Sequence, residues 1–128
     1  METEMGKRKM SRVDFTVDAT LVINDLKKRC TVRDLSLVGI YLTTDLDLDL
    51  GEKAIIWIEI SSDKTSGQIE VSGEVVRKDT YGIAFEFLQL PLDSYLFLRN
   101  IIVYNSGDAK EVDKEYRRHL AERKLRKT

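Results

Sequence analysis

Apolar and polar residues alternate along most of the chain between residues 15 and 88. In the first such stretch, one face holds Phe15, Val17, Ala19, Leu21 and Ile23. A repeat of two residues is typical of a β-strand with one buried face. The pattern recurs and predicts six strands, at residues 15–23, 29–35, 39–44, 54–60, 69–77 and 82–88.

The connections between these segments favour an all-β, antiparallel fold. Residues 24–28, which begin with Asn24 and Asp25, are predicted to form the turn of a hairpin between the first two strands. No helical pattern separates the six segments, and parallel pairing would need long crossover connections. Short strands at near-regular spacing therefore predict an antiparallel barrel or sandwich, and closure into a barrel would hide the sheet edges.

The repeat changes after Pro91, a residue that is favourable in the first turn of a helix. Apolar residues then recur at helical spacing, at Leu92, Tyr95, Leu96, Leu98, Ile101, Ile102 and Tyr104. This pattern predicts a helix that ends near Asn105-Ser106-Gly107.

The last segment is rich in charge, and its basic residues outnumber its acidic ones. A narrow apolar stripe of Val112, Tyr116 and Leu120 predicts a charged helix. We interpret it as a solvated helix packed lightly on the domain, with a partner-binding helix as the alternative. The chain is thus divided into a basic N-terminal arm (1–12), a barrel with its C-terminal helix (13–105) and a charged helical tail (106–128).

Composition narrows the class of protein. With 128 residues the chain fits one domain, and 42% hydrophobic and 34% charged residues exclude both a disordered chain and a membrane protein. The net charge of −1 gives no support for nucleic-acid binding. Because there is one cysteine and no apolar stretch of about 20 residues, we expect a cytoplasmic protein without membrane insertion.

The residue types that usually carry catalysis or bind metals are scarce. The chain has no phosphate-binding glycine loop, no nucleophile elbow and no metal-binding His-Glu-x-x-His motif. His119 is expected to be an exposed residue of the tail, and Cys30 a buried or half-buried structural thiol. We therefore expect neither an enzyme nor a metal site, and no cofactor.

Two polar clusters remain to be explained. The first is Lys7-Arg8-Lys9-Met10-Ser11-Arg12, just before the first strand, and the second is Asp34-Leu35-Ser36-Leu37-Val38-Gly39. Taken separately, the first is typical of a solubilising basic arm. The second is typical of a turn, because Asp and Ser cap backbone groups and glycine is conformationally free.

Taken together, Arg8-x-x-x-Arg12 and Asp34-x-Ser36-x-x-Gly39, separated by a predicted strand pair, resemble the signature of the PilZ domain, a bacterial receptor for cyclic di-GMP. The similarity runs from about Lys7 to Val103 and includes Gly51-Glu52, residues 71–77 and residues 82–87. The resemblance implies a six-stranded antiparallel β-barrel with a C-terminal helix. It also implies that Arg8, Arg12, Asp34, Ser36 and Gly39 bind the ligand.

The residue types suit such a ligand, which presents two phosphates and two guanines. Arginine pairs with phosphate oxygens in a bidentate way and stacks on purine faces. By resemblance, Asp34 accepts hydrogen bonds from a guanine edge, Ser36 contacts base or phosphate, and Gly39 leaves room for the ligand. Lys7 and Lys9 are secondary ligand-binding candidates, because lysine lacks the planar fork. Arg33 is expected on the opposite face of its strand from Asp34 and is left out of the site.

The sequence therefore predicts a cytoplasmic bacterial receptor that binds cyclic di-GMP, orders its N-terminal arginine arm on the ligand and signals through a protein partner. The alternative is a PilZ-like interaction module that does not bind nucleotide, and a small nucleic-acid-binding barrel is disfavoured by the net charge. Nothing in the sequence selects the downstream partner, the regulated process, the ligand stoichiometry, or monomer over dimer.

Overall fold

The computed structural model describes residues 16–62 and 66–127. These residues form six strands followed by two helices: β1 (Thr16–Ile23), β2 (Leu26–Leu35), β3 (Gly39–Thr43), β4 (Lys53–Ser61), β5 (Ser66–Lys78), β6 (Gly82–Gln89), α1 (Leu92–Ser106) and α2 (Ala109–Lys127). The strands close into a barrel in the order β1-β2-β3-β6-β5-β4, and every pair is antiparallel. The predicted all-β barrel with C-terminal helices is confirmed.

The barrel interior is filled by the apolar positions of the alternating pattern. Leu21, Leu42, Ile56, Val71 and Phe85 are almost completely buried there. Burial of one such side chain contributes about 1.5–3 kcal/mol. Cys30 is also buried and belongs to the same core, and burial raises the pKa of its thiol. The prediction of a structural thiol is confirmed.

The first hairpin is tighter than the sequence pattern predicted. Ile23 pairs directly with Leu26, so the turn consists of Asn24 and Asp25 alone. Asn24 has φ of 55°, and asparagine tolerates this left-handed conformation better than most residues do. The prediction that the turn continues through Lys28 is wrong, because this conformation lets the chain reverse within two residues.

The two helices pack on each other and on the barrel. Leu98 of α1 is fully buried. The helix ends at Gly107, whose left-handed φ of 75° lets its N–H bond to the carbonyl of Val103. Asp108 then accepts a hydrogen bond from the Glu111 N–H at 3.0 Å and caps the start of α2. Neither helix in this part of the chain combines the length and apolar character needed to cross a membrane.

Side chains of α2 attach it to α1. Arg99 donates two hydrogen bonds to the carboxylate of Asp113, at 2.7 and 2.8 Å. The rings of Tyr95 and Tyr116 lie 5.0 Å apart, measured between centroids. Val112, which was predicted as part of the apolar stripe, is buried. The first half of α2 is therefore packed against α1 rather than only solvated.

The second half of α2 reaches the barrel through polar side chains. His119 Nε2 lies 3.1 Å from Glu86 Oε2, and Arg123 donates hydrogen bonds to the carbonyl oxygens of Phe87 and Leu88. The His119 side chain is only 17% exposed, so the prediction of an exposed tail residue is wrong. The predicted stripe continued to Leu120, but Leu120 is 44% exposed, and His119 takes the inward position instead.

Candidate functional site

The predicted motif Asp34-x-Ser36-x-x-Gly39 runs from the end of β2 through the connecting turn to the first residue of β3. The Ser36 N–H bonds to the Gly39 carbonyl at 3.0 Å. The Ser36 hydroxyl oxygen accepts hydrogen bonds from the N–H groups of Val38 and Gly39, at 3.2 and 3.3 Å. Serine therefore stabilises this turn from within, as expected for a hydroxyl that caps local backbone groups.

The neighbouring strand β6 leaves no room for a side chain at position 39, which accounts for the glycine there. A Cβ atom at this position would lie 2.2 Å from the carbonyl oxygen of Phe85, and φ is not in the left-handed region. At the other end of the same strand pair, a Cβ at Gly82 would lie 2.1 Å from the carbonyl oxygen of Leu42. The two glycines thus allow β3 and β6 to approach closely, whether or not a ligand is bound.

A bulge in β2 changes the direction of Arg33. The register between β2 and β3 shifts between Val32 and Asp34, so that Asp34 lies opposite Tyr41 and Arg33 is the extra residue. The guanidinium carbon of Arg33 lies 5.9 Å from the centre of the Tyr41 ring. Arg33 and Asp34 therefore share the side of the sheet that Tyr41 occupies. The expectation that they point to opposite faces is wrong, because a bulge interrupts strict alternation.

Tyr41 is the centre of a polar cluster on the outer face of the barrel. Its ring lies 5.4 Å from the guanidinium carbon of Arg77 as well as next to Arg33. Its hydroxyl donates a hydrogen bond of 2.6 Å to Asp79, which raises the pKa of the tyrosine and lowers the pKa of the aspartate. Asp79 also accepts hydrogen bonds from the N–H groups of Tyr81 and Gly82. The β5–β6 turn therefore holds Tyr41 in position.

Strand pairing arranges the outer face in two rows. The first row crosses four strands and contains Asp34, Tyr41, Ala84 and Arg77. Because Ala84 is small, it leaves space between the tyrosine and the arginine. The second row contains Gly39, Glu86 and Glu74.

The two rows and the connection before them line one open groove of about 530 Å³. Three predicted site residues, Asp34, Ser36 and Gly39, lie together in its wall. Tyr41 and Arg77 line the groove beside them, and His119 of α2 lies at its edge over Glu86. The structure thus brings together the part of the predicted site that it describes.

The groove offers three kinds of contact to a ligand. Arg77 is a cation able to bind an anionic group in a bidentate way, and Tyr41 presents an aromatic ring. The carboxylate of Asp34 is an acceptor for N–H groups. Within residues 16–62 and 66–127, no three His, Cys, Asp or Glu side chains cluster in a way that could hold a metal ion.

Sequence reasoning missed Tyr41, Arg77 and His119 as groove residues. A signal for Tyr41 was present, because Ile40 and Leu42 were predicted to point inward and the residue between them must point outward. Arg8 and Arg12, the secondary candidates Lys7 and Lys9, and the arm of residues 1–12 lie outside the described residues.

Comparison with known proteins shows what the chain is similar to. The family model described as PilZ domain matches residues 6–104, which is most of the chain. The matched range includes all predicted ligand-binding residues and ends before α2. The crystal structure of an uncharacterized Legionella protein aligns with 77% of this chain and 89% of its own, at 13% sequence identity and a TM-score of 0.42. The curated proteins yield no match.

Proposed function

Because the chain belongs to the PilZ domain family, we propose that it is a receptor for cyclic di-GMP and binds this nucleotide in the groove on the outer face of the barrel. PilZ domains are receptor-type binding modules and are generally not enzymes. The observation that carries the proposal is the convergence of Asp34, Ser36 and Gly39 with Tyr41 and Arg77 in one groove.

The groove chemistry suits a nucleotide with two phosphates and two guanines. Arg77 is exposed at the end of the first row and lies 3.6 Å from Asp79. We expect its guanidinium to pair with phosphate oxygens or to stack on a base in exchange for this exposed ion pair. Asp34, at the other end of the row, is also exposed and accepts hydrogen bonds from the N–H groups of a guanine edge. The first row therefore has a cation, Arg77, at one end and a hydrogen-bond acceptor, Asp34, at the other. A ligand with phosphate and guanine groups needs both kinds of contact.

The N-terminal arm supplies the remaining cations in this proposal. Arg8 and Arg12 are four residues apart in the sequence and bind the phosphates in this proposal, with Lys7 and Lys9 adding electrostatic attraction. Binding then orders the arm on the ligand. Limited trypsin digestion tests this step, since saturating cyclic di-GMP is expected to slow cleavage after residues 7–12. Equal cleavage rates with and without the nucleotide would refute the ordering of the arm.

The ordered arm and the bound nucleotide together form a new surface for a downstream protein. We propose that the receptor acts in the bacterial cytoplasm, where cyclic di-GMP is a second messenger, and that it signals through such a partner. Once nucleotide binding has been measured, the next experiment is a search for proteins that bind this chain only in the presence of the ligand.

Calorimetric titration of the purified chain with cyclic di-GMP tests the proposal, with GTP as a control ligand. The Arg8→Ala/Arg12→Ala double variant and Asp34→Ala are expected to bind weakly or not at all. Arg77→Ala is expected to raise Kd by about tenfold to a hundredfold, which is the usual effect of losing a hydrogen bond to a charged group. Binding that is unaffected by all three changes would place the nucleotide elsewhere.

Arg29→Ala is the matched control for these arginine variants. Arg29 is an exposed arginine on β2 that pairs with Asp18 and Glu59, and it is not among the groove residues. Its replacement removes one positive charge, as Arg77→Ala does, without touching the proposed site. The control is therefore expected to bind cyclic di-GMP like the wild type.

One observation favours a second candidate, a PilZ-like interaction module that does not bind nucleotide. Ser36 stabilises its own turn and Gly39 admits the neighbouring strand, so two motif residues have structural roles without a ligand. A folded wild-type protein that takes up no cyclic di-GMP in the titration would support this candidate over the receptor.

A further inference from the structure

The helix α2 contributes to the groove although it lies beyond the family match. The match ends at residue 104, and α2 begins at Ala109. His119 of this helix nevertheless lines the same groove as Asp34 and Ser36. One lining residue of the groove therefore comes from a segment that the family match does not include.

One face of α2 holds the helix in this place. Val112, Tyr116, His119 and Arg123 follow each other at intervals of four, three and four residues, a spacing that puts them on one side of a helix. Val112 and Tyr116 pack on the core and α1, whereas Arg123 donates hydrogen bonds to two carbonyl oxygens of β6. Contacts of residues before and after His119 along α2 therefore fix the position of His119.

The surroundings of His119 are acidic and largely shielded from solvent. Its Nε2 atom lies 3.1 Å from a carboxylate oxygen of Glu86, and both side chains are largely shielded, with 17% and 15% exposed. Glu74 is paired with Glu86 across β5 and β6, and Asp34 lines the same groove. Among the described residues, the charged and titratable groups of the neighbouring elements include these three carboxylates, Tyr41 on β3, Arg77 on β5, and Tyr116 and Arg123 on α2.

We propose that α2 completes the nucleotide groove and that His119 is a ligand-binding residue, so that the affinity for cyclic di-GMP depends on the protonation of this imidazole. The inference rests on the proposed function and adds a specific residue and a linkage to it. An anionic ligand in the groove stabilises the imidazolium, and by reciprocity the imidazolium stabilises the bound ligand.

The expected size of the linkage follows from proton binding. Histidine is the side chain whose ordinary titration falls between about pH 5 and 8. If the ligand raises the proton affinity of His119 tenfold, affinity changes by about tenfold across that titration. Binding is then tightest at low pH and weakens as pH rises, because the proton stabilises the complex.

Calorimetric titration of the full chain with cyclic di-GMP, at about pH 6 and about pH 8, tests the inference. For the wild type, Kd is expected to rise by about tenfold between the two conditions. For His119→Gln, Kd is expected to stay near the weaker wild-type value at both. Titration in two buffers with different ionisation enthalpies is expected to show proton uptake by the wild type and none by the variant.

Ala121→Gln is the matched control, because it introduces the same side chain at an exposed position of α2. It is expected to bind like the wild type at both pH values. Circular dichroism and the thermal unfolding midpoint check that both variants keep α2 and the barrel. The proton-uptake measurement on the wild type needs no variant and therefore tests the linkage even if His119→Gln unfolds.

The outcomes separate this inference from the proposed function. Wild-type binding without pH dependence or proton uptake, or unchanged binding by His119→Gln, would overturn the role of His119 and leave the receptor function in place. Tighter binding by His119→Gln would also overturn it, since α2 would then obstruct the ligand. A folded wild type that binds no cyclic di-GMP at either pH would overturn both proposals.

Discussion

The Gly39→Ala variant distinguishes strand packing from ligand approach as the reason for the motif glycine. The added Cβ would lie 2.2 Å from the Phe85 carbonyl oxygen, 3.3 Å from its carbonyl carbon and 3.4 Å from the Glu86 Cα. A close carbon–oxygen contact between strands is about 3.3 Å, so the first distance is about 1 Å too short. All three atoms are backbone, and the closed barrel leaves β6 little freedom to move away.

Overpacking of this kind commonly costs about 1–3 kcal/mol, and we expect a loss of about 3 kcal/mol because no flexible side chain is able to yield. Urea unfolding in the absence of nucleotide measures it. Gly82→Ala is the matched variant: it makes the reciprocal contact with the Leu42 carbonyl and lies outside the motif, so a similar loss is expected. If the free energy of unfolding of Gly39→Ala stays within about 0.5 kcal/mol of wild type while nucleotide affinity falls, the packing explanation is refuted.

Three further predictions concern the core and two polar contacts. Leu98 is fully buried, so Leu98→Ala should lower the free energy of unfolding by about 2–5 kcal/mol in urea, whereas a loss below about 1 kcal/mol would contradict its place in the core. The hydrogen bonds from Arg99 lower the pKa of Asp113, so this carboxylate stabilises the fold above its unfolded pKa of about 4 and ceases to do so as pH falls through the lower folded value. The difference in thermal midpoint between wild type and Asp113→Asn should accordingly be largest above about pH 4 and should decrease to near zero as the pH falls below it. A difference that stays constant with pH would contradict the lowered pKa of Asp113. Tyr41→Phe removes the hydrogen bond that is the main cause of the lowered pKa of Asp79, so NMR titration should show that pKa rising, and an unchanged value would argue against the contact.

The alternating pattern was sufficient to predict the strands because it reports directly which face is buried. Ile40 and Leu42 illustrate this, since both are buried as the pattern requires. The pattern fails where the register changes. Arg33 is the extra residue of a bulge, which puts the inward positions Val32 and Leu35 three residues apart. The same break in the repeat is expected where a strand ends at a turn, so the side of the sheet that Arg33 shares with Tyr41 did not follow from the repeat alone.

Only those residues of the candidate site that belong to a short sequence motif were predictable from the sequence. Asp34, Ser36 and Gly39 are close in sequence and lie at or between the adjoining ends of β2 and β3, whereas Arg77 and His119 reach the groove through pairing of distant strands and packing of a helix. The charge pattern around His119 resembles that of a solvated face. Which side of α2 is buried depends on α1 and Glu86, and a helical repeat alone does not contain that information.

The closed ring of strands limits how a partner is able to bind. In the described part of the chain, β3 is paired with β2 through residues 40–43 and with β6 through residues 39–43, so no row of backbone N–H and C=O groups is open along β3 beside the groove. A partner that binds at the groove therefore has no place to add a strand of its own, which is a common way for sheets to recognise extended peptides. Recognition must instead read side chains, on the outer face around the groove or on the exposed charged side of α2. In the proposed receptor, bound nucleotide would change the charge and shape of such a surface, whereas a strand edge would offer the same backbone groups with or without the signal.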